Sequence, residues 1–292
     1  MTVVLGDNQY GKADVRLVHI ARGGDWHEIT DLTVSVALAG DLAAVHHSGD
    51  NSGVVATDSQ KNTVYAFARE HGIGEIEDFA DLLARHFVAT YSHIRRARVA
   101  IEQHSWDRIA VDGDDHPHSF AAAGGERRTT TVTHDGAQSW VLSGLTGLVV
   151  LKSTGSEFAG FVRDRYTTLA ETDDRILATA VTARWLHGAA AGDWATSFAL
   201  VRRRLVETFS ATHSLSLQQT LYAMGSAALE GQPDIAEIRL SMPNRHHFLV
   251  DLAPFGLDNP GEVYFAADRP YGLIEGTVTR DDAPDPGPAW RE

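Results

Sequence analysis

The sequence predicts an α+β protein made of two successive units, each an antiparallel sheet backed by helices. Three observations carry that expectation. Several runs alternate apolar and polar residues with the period of a half-buried strand, as "ADVRLVHIAR" at 13–22 does. Others place apolar residues three and four apart, as in "EIEDFADLLARHFVATY", where Ile76, Phe79, Leu82, Leu83 and Phe87 fall at helical spacing. The succession of the two kinds of run recurs in the second half of the chain. The divisions fall at 8–138 and 139–277, followed by a tail at 278–292.

"ADVRLVHIAR" and "DLTVSVALAG" flank a "GGDW" turn and predict a hairpin. "VVATDSQKNTVYAFARE" follows a turn rich in Gly, Asn and Asp at 49–53. The amphipathic helix comes next, then two strand-like segments, "IRRARVAIEQHSWDRIA" and "TTTVTHDGAQSWVLSGL". The first half therefore reads strand, strand, helix, strand, strand. The second opens on strand-like "GLVVLKSTGSEFAGF", which runs into "DRYTTLAETDDRILATAVTARWLH". Helices are predicted over roughly 194–211 and 217–230, with "IAEIRLSM" and "HHFLVDL" as a closing strand pair. "TDSQKN" at 57–62 and "TDDRIL" at 172–177 form a local echo between the halves. The tail, "TRDDAPDPGPAWRE", is rich in Pro and Asp and is expected to be exposed and loosely ordered. "VDGDDHPH" at 111–118 has a metal-like look, but its Gly113 comes too early for a calcium loop and no Glu closes it. A solvated hairpin turn is expected there. Sheets of this kind leave open edges, which proteins often cover by oligomerising.

The 292 residues are 43% hydrophobic, enough for a substantial core. No run of about 18 apolar residues exists, so no membrane-spanning segment is expected. The N-terminal stretch lacks the basic region and apolar core of a secretory signal. The absence of cysteine removes disulfides, thiolate ligands and Cys nucleophiles, and the cytoplasm is the expected compartment. With 25 basic and 39 acidic residues the net charge is -14, which disfavours a nucleic-acid partner. An anionic substrate would need local, well-placed donors. Most of the 15 histidines are expected to be surface or hydrogen-bonded core residues.

Several residues are candidates for chemistry. In "SLSLQQTLY" Ser216 and Gln219 have capping-box spacing, which puts Leu217 and Gln218 at the first two helical positions. Their backbone N–H groups have no partner inside the helix, so with the helix dipole they make either an anion cradle or an ordinary solvated cap. Arg175, after two acidic residues, is either a surface ion-pair member or a bidentate fork for a planar anion. Phe158 is a core aromatic or a platform for a flat ring. Lys12 is a solvated lysine or, with a hydroxyl such as that of Thr57 before Asp58, a base. In "MPNRHHFLVDL" strand alternation puts Asn244, His246 and Phe248 on one face, Arg245 and His247 on the other. The adjacent histidines are therefore poorly placed to share a metal, and no zinc helix or facial triad stands nearby. "GIG" at 72–74 is a weak phosphate-loop signal.

"YGKADVRLV", "VVATDSQKNTVYAFA", "HPHSF", "LKSTGSEFAGFVRDRYTTLAETDDRIL", "SLSLQQTLY" and "MPNRHHFLVDL", in this order over residues 8–275, resemble the urate oxidases. The resemblance implies the tunnelling fold, assembled as a homotetramer into a barrel-like oligomer with sites between subunits. It implies a catalytic Lys12, its hydroxyl partner Thr57, and His246 as third member of the relay. Phe158 would stack on the purine, Arg175 and Gln218 would hold its edges, and the backbone of Leu217 would assist. Asp58 would approach the substrate through its backbone, with the Thr57-Asp58 segment supplied by a neighbour. Asn244 would hold dioxygen or water above the ring. Urate and dioxygen are the implied partners, with no metal or organic cofactor. Leu217 replaces a common Val, and Arg245 a Lys, both tolerable if only a backbone N–H and a remote face are involved. The "AWRE" end lacks the Ser-Lys-Leu address of eukaryotic members, which favours a bacterial, cytoplasmic enzyme. Two rivals are a metal-dependent purine or pterin hydrolase of the same fold and a non-catalytic purine-binding protein.

Overall fold

A computed structural model describes residues 2–188 and 192–291. The chain divides into two compact units, one formed by Met1–Gly144, Leu186–Ala195 and Pro284–Glu292, the other by Leu145–Trp185 and Thr196–Ala283.

In the first unit β1 (Tyr10–Gly23), β2 (Trp26–Gly40), β3 (Ile94–Val111) and β4 (Asp114–His134) form antiparallel neighbours in that order. The expected hairpin joins β1 to β2 through Gly24, whose φ of 67° suits a glycine. At the tip of β3–β4, Asp112 and Gly113 both have positive φ, so the acidic segment is the expected hairpin turn. Leu32, Val34, Val36 and Leu38 of β2 all point into the core, two residues apart. Helices α1 (Ala43–Ser48), α2 (Thr57–His71) and α3 (Ile76–Thr90) follow β2. Phe79, Leu83 and Phe87 of α3 lie within the core built on β2 and β3.

The second unit carries α4 (Trp194–Ala211) and α5 (Leu217–Gly231), which match the predicted helices within a residue. Its strands follow β5 (Ser139–Lys152), which begins in the first unit: β6 (Leu177–His187), β7 (Ile235–Asn244), β8 (His247–Leu249), β9 (Tyr264–Ala266) and β10 (Gly272–Thr279). Strand β7 pairs antiparallel with β10, and β8 with β9. Trp185, Phe209, Leu221 and Met224 centre the core. Helix α5 approaches β10 so closely that a Cβ on Gly225 would meet Val278 at 2.6 Å.

Several local expectations are corrected. Residues 57–71 form a helix, α2, because Gln60, Val64 and Ala68 bury one face. Thr, Val, Tyr and Phe in that run mask the period. The echo between 57–62 and 172–177 is not structural, since the first opens a helix and the second leads into β6. The segment 129–145 holds a turn, where the Asp135 carboxylate accepts from the backbone N–H of Ala137 and Gln138. The strand through "LKSTGSEF" stops at Lys152, ahead of Gly155 with φ 73°. The expected closing pair is two different pairings. The tail is not loose among its described residues: Ala289 is buried with Leu142 and Leu186, and Trp140 and Trp290 pack on them.

A buried polar chain ties α3 to the first unit's sheet. Arg128 bonds Glu77 at 2.7 Å, Ser143 donates to the other Glu77 oxygen, and His187 Nε2 lies 3.0 Å from the Ser143 hydroxyl. Since Ser143 gives its proton to Glu77, His187 carries its own on Nε2. Its Nδ1 is buried without a partner. Burial, aided by the Arg128 charge, lowers the His187 pKa to about 4. The unfolded chain takes up this proton near pH 6.5, so the stabilisation is complete above that pH and is lost as pH falls toward about 4. We predict that His187→Phe flattens the acid limb of stability between those values, by on the order of 3 kcal/mol at the lower end. Denaturant unfolding of both proteins across the range checks it; parallel curves would refute it.

Candidate active site

Two groups of the expected residues come together, each inside one unit. In the first unit, Tyr10–Lys12 and the start of α2 are neighbours. The Tyr10 hydroxyl accepts from the backbone N–H of Val55 at 2.8 Å, and the Gln60 amide donates to the Val55 carbonyl at 3.0 Å. These bonds fix the entry to α2, whose first residue is Thr57. Helix-opening N–H groups have no partner within the helix, so those of Thr57 and Asp58 are available to a ligand. The Asp58 side chain is committed elsewhere: Lys61 and Asn62 bond it, and the Lys61 ammonium holds its carboxyl below the usual range. That leaves Asp58 its backbone. Lys12 is half-buried and within electrostatic reach of Asp58. It sits where the register with β2 shifts, just before Asp14 at φ 56°, and a bulge of this kind re-aims the side chains beside it.

In the second unit, residues 155–158 lie along 214–216. Ser214 donates its N–H to the Gly155 carbonyl at 2.9 Å and accepts from Glu157 N–H at 2.8 Å. Arg175 N–H donates to the Ser156 carbonyl at 2.7 Å, and Phe158 and Thr172 exchange both backbone bonds. The Asp174 carboxylate accepts from the Thr154 hydroxyl at 2.7 Å and Gly155 N–H at 2.9 Å. Three segments distant in sequence thus meet at Ser156 and Ser214, both fully buried.

That junction sets the side chains. The Arg175 guanidinium stands 5.1 Å from the centre of the Phe158 ring, half-buried, its Nε without a hydrogen-bond partner. The surface ion-pair alternative fails, because Asp174 is occupied by residues 154 and 155. Phe158 is no core aromatic: it is half-buried and stacks on Phe161 at 5.0 Å and 13°. Ser216 caps α5, accepting from Gln219 N–H at 3.1 Å, and the Gln219 amide reaches back to Leu215 N–H at 2.8 Å. Ser216 fills the forward half of the capping box and Gln219 reaches back one residue further, to Leu215, so the backbone N–H groups of Leu217 and Gln218 are not used by the cap. Leu217 buries its side chain while Gln218 projects into solvent.

Strand β7 ends at Asn244 and β8 begins at His247, so Arg245 and His246 occupy a break rather than the expected continuous strand. Arg245 N–H bonds the Ala178 carbonyl and Ala267 N–H bonds that of His246, each at 2.9 Å. The facing survives the break. His246 stacks on Phe248 at 5.8 Å and 25°. Arg245 and His247 together line a cavity of about 540 Å³ with Val149, Leu151, Pro243 and Tyr271. Burial first, then the Arg175 and His247 charges, lower the His246 pKa, which keeps its imidazole neutral at pH 7 and able to pass a proton. Among the described residues no group of three or more His, Cys, Asp or Glu is placed to hold a metal. Sequence reasoning missed Ser156, Asp174 and Ser214, whose bonds hold the segments that carry Phe158, Arg175 and the start of α5. The one sequence signal was "STGSEF", hydroxyls around a glycine.

The pattern that describes the uricases matches residues 8–133 and 141–275. The chain belongs to the uricase family. Uricase from Arthrobacter globiformis is 53% identical over 288 residues, 99% of this chain and 94% of that one. Its crystal structure superimposes with a TM-score of 0.95 at 52% identity, covering 100% of both chains. A uricase from Bacillus fastidious gives 0.81 at 27% identity, over 94% of each. The α+β architecture is that of these structures, the tunnelling fold. Family membership makes the chain a urate oxidase, an oxidoreductase.

Removing the Arg175 fork should abolish productive substrate binding, whereas Asp174→Ala should only loosen the turn that aims it. We expect no saturation with urate for Arg175→Ala, and for Asp174→Ala a KM raised about tenfold or more with kcat kept within a few-fold. Equal loss of kcat and kcat/KM in Asp174→Ala would refute the positioning role.

Proposed function

We propose that the two groups of residues carry out one reaction: urate, dioxygen and water give 5-hydroxyisourate and hydrogen peroxide, with no metal or organic cofactor. The observation that carries this reading is the guanidinium of Arg175 beside the Phe158 ring, at a junction that also leads through Ser214 to the N-terminus of α5. Urate is a planar anion with polar edges and a flat apolar face. An Arg fork, the Gln218 amide and the N–H of Leu217 suit the edges; Phe158 suits the face.

In this reading Lys12, Thr57 and His246 form a proton relay that takes urate to its electron-rich dianion. The neutral imidazole of His246 supports that role. Electron transfer to dioxygen is then the substrate's own property, and the protein supplies deprotonation, a stacked pose and a polar position at Asn244 for dioxygen and then water. The active assembly is a homotetramer in which the Thr57-Asp58 segment of one copy completes the site of a neighbour. The uncommitted backbone of Asp58 supports this.

Urate loss followed by ultraviolet absorbance, together with peroxide release in chelator-treated buffer, tests the reaction. We expect full turnover without metal; absence of urate loss would sink the reading, and restoration only by added metal would favour the hydrolase rival. Lys12→Met should lower turnover by about 100-fold or more while keeping urate binding, which equilibrium dialysis reads. Wild-type turnover in that variant would remove Lys12 from the relay.

A further inference from the structure

Phe158 has a ring partner of its own. It stacks on Phe161 with ring centres 5.0 Å apart and planes 13° apart. Two rings side by side in one plane would keep their centres at least about 6 Å apart, because their carbon atoms approach no closer than van der Waals contact. A near-parallel pair at 5.0 Å is therefore an offset stack, in which Phe161 covers one face of Phe158.

The loop that carries Phe161 is built to hold it there. Its neck is closed where Phe158 and Thr172 exchange both backbone bonds. Gly160 turns the chain back at φ 71°, a conformation that suits a glycine, and donates its N–H to a Glu171 carboxylate oxygen at 3.2 Å. The same oxygen lies 3.8 Å from Arg163, whose guanidinium stands 5.5 Å from the centre of the Phe161 ring. Successive contacts thus link Arg175, Phe158, Phe161 and Arg163. Phe161 is half-buried in a stretch, 159–166, whose other residues are all exposed; its neighbour Val162 is 93% exposed. The loop turns one aromatic inward, onto Phe158.

A platform for a flat ligand needs a fixed plane and one open face. An unsupported phenyl ring turns about its side-chain bonds, and ordering it when the ligand arrives costs affinity. With Phe161 against one face, the plane is set in advance and the ligand is left the other. We propose that Phe161 is a positioning residue for the substrate: it fixes the plane of Phe158 and confines the purine ring to the face that Phe161 leaves open. This rests on the reading in which urate stacks on Phe158. The role concerns binding and not proton transfer, so KM and not kcat carries the effect.

Phe161→Leu keeps an apolar side chain without a flat face, and Phe161→Tyr restores the ring. Steady-state kinetics with urate are paired with equilibrium dialysis of urate in the absence of dioxygen, where binding is read without turnover. F161L should raise KM and the anaerobic dissociation constant about threefold to tenfold and keep kcat within about twofold. F161Y should return both constants to within about twofold of wild type. R165Q, in the same loop but with its guanidinium over Tyr166, should change neither. A role in folding alone would instead lower the active fraction, and so kcat, at unchanged KM. That result, a wild-type KM in F161L, or a defect in F161Y equal to that in F161L would overturn the proposal. Phe158→Leu, run alongside, separates the two ideas. If it binds urate as wild type does, the platform falls and the role of Phe161 with it; if it loses affinity while F161L does not, only the role of Phe161 fails.

Discussion

The group of candidate residues in the second unit depends on one small junction. Ser156 and Ser214 are hydroxyl residues, both fully buried where the segments meet. Their carbonyls accept from the N–H groups of Glu157 and Arg175, and the Ser214 N–H donates to the Gly155 carbonyl. The Ser214 hydroxyl bonds Thr220 and the Ser216 carbonyl, which couples the junction to the first turn of α5. Two carbonyls near the end of α4, those of Phe209 and Thr212, accept from the Lys152 ammonium. Lys152 thereby ties the end of β5 to the connection that leads into α5. The platform, the fork and the helix N-terminus are thus fixed by backbone bonds, and the side chains left over point outward. A site built this way is pre-organised before substrate arrives.

In the proposed reading, an acidic protein meets its anionic substrate at the same place. Long-range field opposes it, so attraction has to be local. Asp173 and Asp174 sit beside Arg175 in sequence, and their charge would cancel the fork if both carboxylates reached it. Asp174 is instead turned back onto Thr154 and Gly155, where those donors keep it ionised. One carboxylate acts as a bracket, and the guanidinium of the residue after it is left uncancelled. The first unit shows the same device: Lys61 and Asn62 occupy the Asp58 side chain and leave the helix-opening N–H groups free of a competing acceptor.

What the sequence made legible follows from which signals are local. Helices α3, α4 and α5, the Ser216 cap, the hairpin at Gly24 and that at Asp112–Gly113 depend on spacing and turn chemistry, and each lies where those signals place it. The facing of Asn244, His246 and Phe248 is likewise a matter of alternation, and it persists through a break that alternation does not reveal. Helix α2 was hidden because Thr63, Val64, Tyr65 and Phe67 carry strand-like propensity that packing of Gln60, Val64 and Ala68 overrides. The pairing of β7 with β10 and β8 with β9 was hidden because pairing partners are a tertiary choice. The junction at Ser156 was hidden for the same reason, as small hydroxyl residues advertise nothing until their neighbours are known.

The buried atoms left without partners in the second unit show where folding and function pull apart. Arg175 Nε and Ser156 Oγ both lack a hydrogen bond, and each such group costs about 1–3 kcal/mol. A chain selected for stability alone would satisfy them, for instance by letting Asp174 turn toward Arg175. That move would release Thr154 and Gly155, loosen the turn and neutralise the fork in one step. The observed arrangement accepts an unsatisfied guanidinium nitrogen in order to keep both the turn and the charge. In the proposed reading, a planar anion arriving over Phe158 would supply an acceptor for Arg175 Nε.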